Sequence, residues 1–244
     1  MAETNLLWHT RPIDDSAFFT NELTPFGIHS IIGPVLHIAR KPLVTITQPP
    51  PHALLLTSRH AAHALSLLPA SWRSLPVYCV GNATAKAAGE HGFTRIISGM
   101  KDVQALLPRI AGEVASGSTL LYLAGDVTRT DVQKMLAPRG ITVSMVVVYY
   151  AIGEQELTPE IIAALEGGRI AGVALFSPRT ARISAALMEK AGLTECARGI
   201  TAYCFSENVA LEVQNLSWAA IHTCTTPTRA AMRELIVSHH PKSE

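Results

Sequence analysis

Short continuous apolar runs alternate along this chain with segments whose apolar positions recur every three or four residues, the pattern of strands followed by helices. LLWHTRP, from Leu6 to Pro12, is an apolar strand ending in a polar corner, and DDSAFFTNELTPFG after it has helical spacing closed by Gly27. Ile28 to Ile38 reads as a second strand. ARKPLVTITQPPP beyond it is extended and proline-rich, which suits a crossing between domains near Arg40. Ala53 to Leu68 is a buried strand and then a helix starting at Thr57 to Arg59. Val77 to Gly92, VYCVGNATAKAAGEHG, is strand, tight turn and helix. Gly81 permits a turn that a side chain would obstruct, Asn82 favours turning, and Thr84 stands where a hydroxyl can cap the helix. RIISG is a strand, DVQALLPRIAGEVA a helix, TLLYLAG a strand ending at Gly125, and TRTDVQKMLAPRG a helix stopped by Gly140. Ile141 to Glu154 is a β-branched strand run that turns polar at Gly153 and leads into a second crossing. TPEIIAALEGG is then a helix opened by Thr158 and Pro159. GVALFSPRTARISAALMEKAG and ITAYCFSENVALEVQNL each read as strand then helix, and TPTRAAMRELIVS as the last helix. Strands alternating with helices throughout argue an α/β chain of parallel sheets.

The pattern also repeats. LLWHTRPIDDSAFFTNELTPFG and LLYLAGDVTRTDVQKMLAPRG share an opening Leu-Leu-aromatic and a closing Leu-x-Pro-x-Gly, LLLTSRHAAHAL pairs with ALFSPRTARISAAL, and VYCVGNATA pairs with AYCFSENVA. The offset grows from Gly27 and Gly140, through Ser58 and Ser177, to Tyr78 and Tyr203, as loop insertions in an old duplication would produce. Two similar folded halves are expected, with a ligand in the cleft between them.

Composition narrows the classes. At 244 residues the chain suits two modest domains. A net charge of +1 supplies no bulk field toward nucleic acid or a membrane, so an acidic ligand must be met by locally placed groups. Cys79, Cys196, Cys204 and Cys224 lack paired metal spacing and read as reduced core residues of a cytoplasmic protein. MAETNLLWHT carries no export pattern, and no apolar run is long enough to cross a bilayer. The Asn82-Ala83-Thr84 sequon would then go unmodified. His60 and His63 lie three apart with no clustered Cys or carboxylate, which favours exposed or capping histidines over a metal, and no GxGxxG follows the first strand, which disfavours a nicotinamide or flavin enzyme.

LLWHTRP at the start, TSRHAAHAL, YCVGNATAKAAGEHGF, a loop from Gly125 to Arg129, VVVYYA and LFSPRTA occur in that order, and in this the chain resembles the uroporphyrinogen-III synthase family over nearly its full length. The resemblance implies two similar parallel-sheet α/β domains of flavodoxin-like build joined by a two-stranded connection. They would span residues 1–39 plus 152–244 and residues 42–149, with crossings near 38–42 and 149–154. It also implies closure of hydroxymethylbilane to uroporphyrinogen III, with inversion of the last ring and loss of water, without cofactor or metal. The enzyme would be a monomeric lyase that receives its unstable substrate by transient handover from hydroxymethylbilane synthase.

That substrate carries an acetate and a propionate on each pyrrole, so a nearly neutral protein must hold a polyanion with helix ends, backbone N–H groups and hydroxyls. The family's hydroxyl positions fall on Ser58, Thr84 and Ser177, and its N-terminal arginine on Arg11. Asn82, Ala83, Gly125 and Pro178 belong to the same turns. Arg59, Arg129 and Arg179 flank them and would pair with carboxylates or stand as solvated surface charges. Two places, three residues in all, depart from the family pattern. In CFSENVA, Ser206 replaces a glycine and Val209 falls on the threonine, while Ala124 replaces an arginine before Gly125. Ser206 is then the candidate for the missing hydroxyl. The catalytic candidate is Tyr149, at the end of the strand entering the second crossing. Phenols ordinarily titrate near pH ~10, so it would donate to the departing hydroxyl as a weak general acid or simply pack as a strand aromatic, with Tyr150 pointing the other way. The rival class is a cytoplasmic two-domain binding or sensing protein without chemistry.

Overall fold

The computed structural model describes residues 5–42, 49–100, 102–128 and 130–241. In chain order the elements are β1 (Leu6–His9), α1 (Ile13–Leu23), β2 (Ser30–Ile32), β3 (Leu36–Arg40), β4 (Ala53–Leu56), β5 (Val77–Val80), α2 (Asn82–Glu90), β6 (Ile96–Met100), α3 (Val103–Glu113), β7 (Thr119–Gly125), α4 (Val132–Leu136), β8 (Thr142–Gly153), α5 (Pro159–Glu166), β9 (Ile170–Leu175), α6 (Pro178–Lys190), β10 (Thr201–Cys204), α7 (Glu207–Ala210), β11 (Ala220–Thr223) and α8 (Arg229–His239). Side chains of Asp102, Asp131, Thr158, Ser177 and Thr228 accept a backbone N–H at the starts of α3, α4, α5, α6 and α8, so most helix starts are written as N-caps.

The chain forms two compact units, residues 1–37 with 152–244 and residues 38–151. The sheet of the first runs β2-β1-β9-β10-β11, which in the unit's own order of appearance is 2-1-3-4-5, the flavodoxin-like order. The sheet of the second runs β3-β8-β7-β4-β5-β6. Neighbouring strands from β4 to β8, and all those of the first sheet, pair in parallel. Inner strands such as β4 are buried along their whole length because helices cover both faces, which is why they read as unbroken apolar runs. Each fully buried Leu or Phe, such as Leu7 and Phe19 under α8, is worth about 1.5–3 kcal/mol. The chain passes between the units along β3 and β8, which run antiparallel: Lys41 N–H donates to Val148 O and Glu154 N–H to Val35 O, both at 2.9 Å.

In its secondary structure the protein departs from the sequence reading at several points. Ile28 to Ile38 is two strands, not one, because Pro34 has no N–H and Gly33 is drawn aside: its N–H donates to His9 O, its carbonyl accepts Trp8 Nε1–H at 2.8 Å, and any side chain there would meet Ile161. The segment after Ser58 is a 3₁₀ helix over Arg59–Leu67, in which His63 Nδ1 and Ser66 Oγ bond the carbonyls three residues back, and His60 and His63 are half-buried rather than exposed. β11 was not expected at all. The four cysteines are free, and burial pushes the Cys79 and Cys204 thiols up to about 12.

Candidate functional site

In an open α/β sheet, ligands bind beyond the carboxyl ends of the strands, where neighbouring strands lead their chains to opposite faces. In the second unit that point lies between β4, which feeds the 3₁₀ helix on one face, and β7, which feeds α4 on the other. Beyond β4, Thr57 Oγ1 shares a 2.9 Å hydrogen bond with the Tyr122 hydroxyl, whose pKa burial raises against the pull of Thr57 and with a smaller push from Tyr149. Ser58 is extended, at φ −149° and ψ 143°, and accepts His60 N–H at 3.2 Å; Arg59 follows half-buried.

Beyond β5 the chain turns through Gly81 at φ 75° and ψ 157°, a region open to glycine alone, and enters α2 at Asn82, Ala83 and Thr84. The expected Thr84 cap is not made. The helix begins two residues before Thr84, which becomes its third residue at 4% exposure, and no side chain caps the start. The first-turn N–H groups are therefore left for solvent or an anion. At the end of β7, Gly125 stands opposite Tyr149 of β8. The half-buried Tyr149 ring lies over Gly125 and meets the His60 ring edge-on at 5.9 Å, while Tyr150 is exposed. Arg129 lies outside the described residues.

In the first unit the equivalent point lies between β1, which feeds α1, and β9, which feeds α6. Buried Thr10 donates to Ala174 O at 3.0 Å, tying the two strand ends together. Arg11 pairs with Asp15 at 2.9 Å and lays its guanidinium 4.8 Å from the Phe176 ring centre, so the charge is oriented rather than loose. Ser177, extended at φ −147° and ψ 151°, accepts Thr180 N–H at 3.1 Å; Pro178 is the first helical residue and Arg179 follows half-buried. Ser206 precedes α7 at φ −163° and ψ 166° and makes no side-chain cap bond, and Val209 is buried in the apolar core. The sequence reading passed over His9. At 1% exposure it contacts Ser30 Oγ at 2.9 Å, and burial, then the charges of Arg11 and His240, hold its pKa at about 4. A histidine closing a buried apolar strand was the available signal.

The expected residues thus divide into two sets. Ser58, Arg59, Asn82, Ala83, Thr84, Gly125 and Tyr149 gather at the strand ends of the second unit, and Arg11, Ser177, Pro178, Arg179 and Ser206 at those of the first. A cavity of about 480 Å³ lined by Tyr122, Thr128, Thr130, Asp131, Gln133 and Met145, among others, opens beside β7 and the start of α4 in the second unit, without any of the described candidates in its lining. Among the described residues no helix is long and apolar enough to cross a membrane, and no three His, Cys, Asp or Glu side chains come together as a metal site requires.

A family model described as uroporphyrinogen-III synthase HemD matches residues 19–234. Among solved structures, the chain is similar to uroporphyrinogen-III synthetase from Helicobacter pylori, with a TM-score of 0.63 and 19% identity over 96% of this chain and 98% of that one. It is also similar to a mutant uroporphyrinogen III synthase from Thermus thermophilus, with a TM-score of 0.50 and 15% identity over 94% of this chain and 96% of that one. At those identities the structures speak for a shared fold, and the family model for a shared family.

Proposed function

We infer the chemistry of this chain from the family to which it belongs, the uroporphyrinogen-III synthases: it closes hydroxymethylbilane to uroporphyrinogen III in tetrapyrrole biosynthesis. The match over residues 19–234 carries this reading and does not favour a binding or sensing protein without chemistry. As a lyase, the enzyme expels water from the substrate's hydroxymethyl end while the terminal ring turns over. The carboxylates are met by the uncapped first turn of α2, by the hydroxyls of Ser58, Thr84 and Ser177, and by Arg11, Arg59 and Arg179. Ser206 has a hydroxyl that no cap bond uses, which supports a minor binding role for it.

Free hydroxymethylbilane closes without inversion, so the protein's main contribution is to hold the chain folded with its end ring turned. Such positioning can supply up to roughly 7–11 kcal/mol. Tyr149 donates its phenolic hydrogen to the departing hydroxyl. Supporting this role, its ring sits at the strand ends beside Gly125 and the Ser58–His60 turn rather than deep in the core. The enzyme acts as a monomer, and the substrate's instability supports transient handover from hydroxymethylbilane synthase. Four free cysteines support a reducing, cytoplasmic setting.

The deciding experiment incubates the protein with freshly made hydroxymethylbilane and resolves the isomers. Uroporphyrinogen III in excess is expected, and isomer I alone at the spontaneous rate overturns the reading. Tyr149→Phe should lower turnover by roughly tenfold to a few hundredfold with isomer purity kept. Full turnover in that variant removes Tyr149 from the chemistry.

A further inference from the structure

We propose that Gly125, Asp126 and His60 are positioning residues that aim the Tyr149 phenol, an inference that rests on the catalytic reading of Tyr149 above. Three contacts converge on that one residue. The first is steric. A methyl group at position 125 would stand 2.6 Å from Tyr149 Cζ, 2.7 Å from Cε2 and 2.8 Å from the hydroxyl oxygen, so the hydroxyl end of the ring lies across the bare glycine. Gly125 is not among the residues with positive φ, so the ring above it, and not the backbone, demands a glycine there.

The second contact is a clamp on the main chain. Asp126 N–H donates to Tyr149 O at 3.1 Å, and the Asp126 carboxylate accepts Ala151 N–H at 3.0 Å. One residue therefore pins the β8 backbone on both sides of Tyr150, just past the irregularity in register between Ala124 and Gly125. The third is the His60 ring, whose centre lies 5.9 Å from that of Tyr149 at an interplanar angle of 61°. His60 is itself fixed, its N–H donating to Ser58 Oγ and its carbonyl bonded by His63 Nδ1. Floor, backbone and edge together leave the phenol little freedom, and a misplacement of about 1 Å in such a group can cost on the order of a hundredfold in rate.

The test uses the full chain, fresh hydroxymethylbilane and isomer-resolved kinetics. Gly125→Ala, Asp126→Ala, Asp126→Asn and His60→Ala are each made in the wild type and in Tyr149→Phe. Gly125→Ala should lower kcat by roughly as much as Tyr149→Phe while KM changes less than about twofold, and in the Tyr149→Phe background it should add less than about threefold, because residues acting through one hydroxyl are not additive. Asp126→Ala should cost about three- to tenfold in kcat, and Asp126→Asn, whose side-chain oxygen still accepts the Ala151 N–H, should restore it. His60→Ala should behave like Asp126→Ala and also lose its effect without the phenol.

Equal losses in both backgrounds, or full kcat in a folded Gly125→Ala, overturn the proposal. If Gly125→Ala fails to fold, the Asp126 pair decides by the same criterion. A wild type yielding only isomer I sinks the synthase reading itself, whereas an active wild type with additive variants sinks only the positioning.

Discussion

Two turns, one in each unit, start a helix directly after an inner strand, and they reach it by different backbone routes. After β5 the chain passes through Gly81 at φ 75°, and after β10 it passes through Ser206 at φ −163°, which any residue can adopt. The absence of a glycine from the second turn therefore costs the backbone nothing. Its consequence appears three residues on. Thr84 brings a hydroxyl to the first turn of the nine-residue α2, whereas Val209 buries a hydrocarbon in the first turn of a helix only four residues long. A helix that short presents little dipole, so the anion contact proposed for the first unit rests on Ser177 at the start of the 13-residue α6. There the two units agree, since Ser58 and Ser177 cap with nearly the same extended dihedrals.

The largest expected effect separates the units by pH. Where the Leu-Leu-aromatic run of β7 continues to buried Leu123, that of β1 continues to buried His9. The pKa of His9 is lowered to about 4 in the folded chain, so between pH 6.5 and 4 the unfolded state binds more protons than the native one. Stability from this group is fully present above pH 6.5 and falls by about 3 kcal/mol as the pH drops through 4. Denaturant unfolding across that range should show the loss, and His9→Gln should remove it; an unchanged acid profile in the variant breaks the contrast.

Next comes the glycine. Gly81→Ala should cost about 2 kcal/mol, because an added methyl meets no neighbour there and the whole penalty is backbone strain, while Ser206→Ala should cost a few tenths, with no cap bond to lose. Equal penalties in thermal or chemical melts would mean that the two routes are energetically alike. The smallest pair tests the agreement. Ser58→Ala and Ser177→Ala should each lose about 1 kcal/mol of cap energy, Ser177 slightly more because its hydroxyl also bonds the Thr180 hydroxyl at 2.9 Å. Both should lose more turnover than stability; losses confined to stability would make these serines structural.

The α/β order was legible because strands buried on both faces leave continuous apolar runs, and because caps such as Asp102, Thr158 and Ser177 mark helix starts within a few residues of what they bond. β11 escaped because AIHT is too short for a period to register; the break at Gly33 was half legible, since Gly33-Pro34 is a local breaker, but the Trp8 contact that fixes it comes from 25 positions earlier. The site shows the same division. Local turns placed Ser58, Ser177 and the Asn82–Thr84 segment at strand ends, but the Thr84 cap failed because the positive φ of Gly81 starts the helix early. Asp126 was invisible, since its partner Ala151 lies on another strand.

The passage of the chain through β3 and β8 also dictates an order of birth. Residues 38–151 are contiguous and can close their sheet while the ribosome is still at work, but β1 has β2 and β9 as its two neighbours, and β9 starts only at Ile170. During synthesis β1 must therefore wait, with one edge open, until the whole of residues 38–151 has been made, and a strand edge left unpaired for that long is exposed to mispairing. Hydrogen exchange on ribosome-bound chains stalled after Lys190, with β9 still inside the exit tunnel, should find β4, β5 and β7 protected and β1 exchanging freely; early protection of β1 would mean that it finds another partner first.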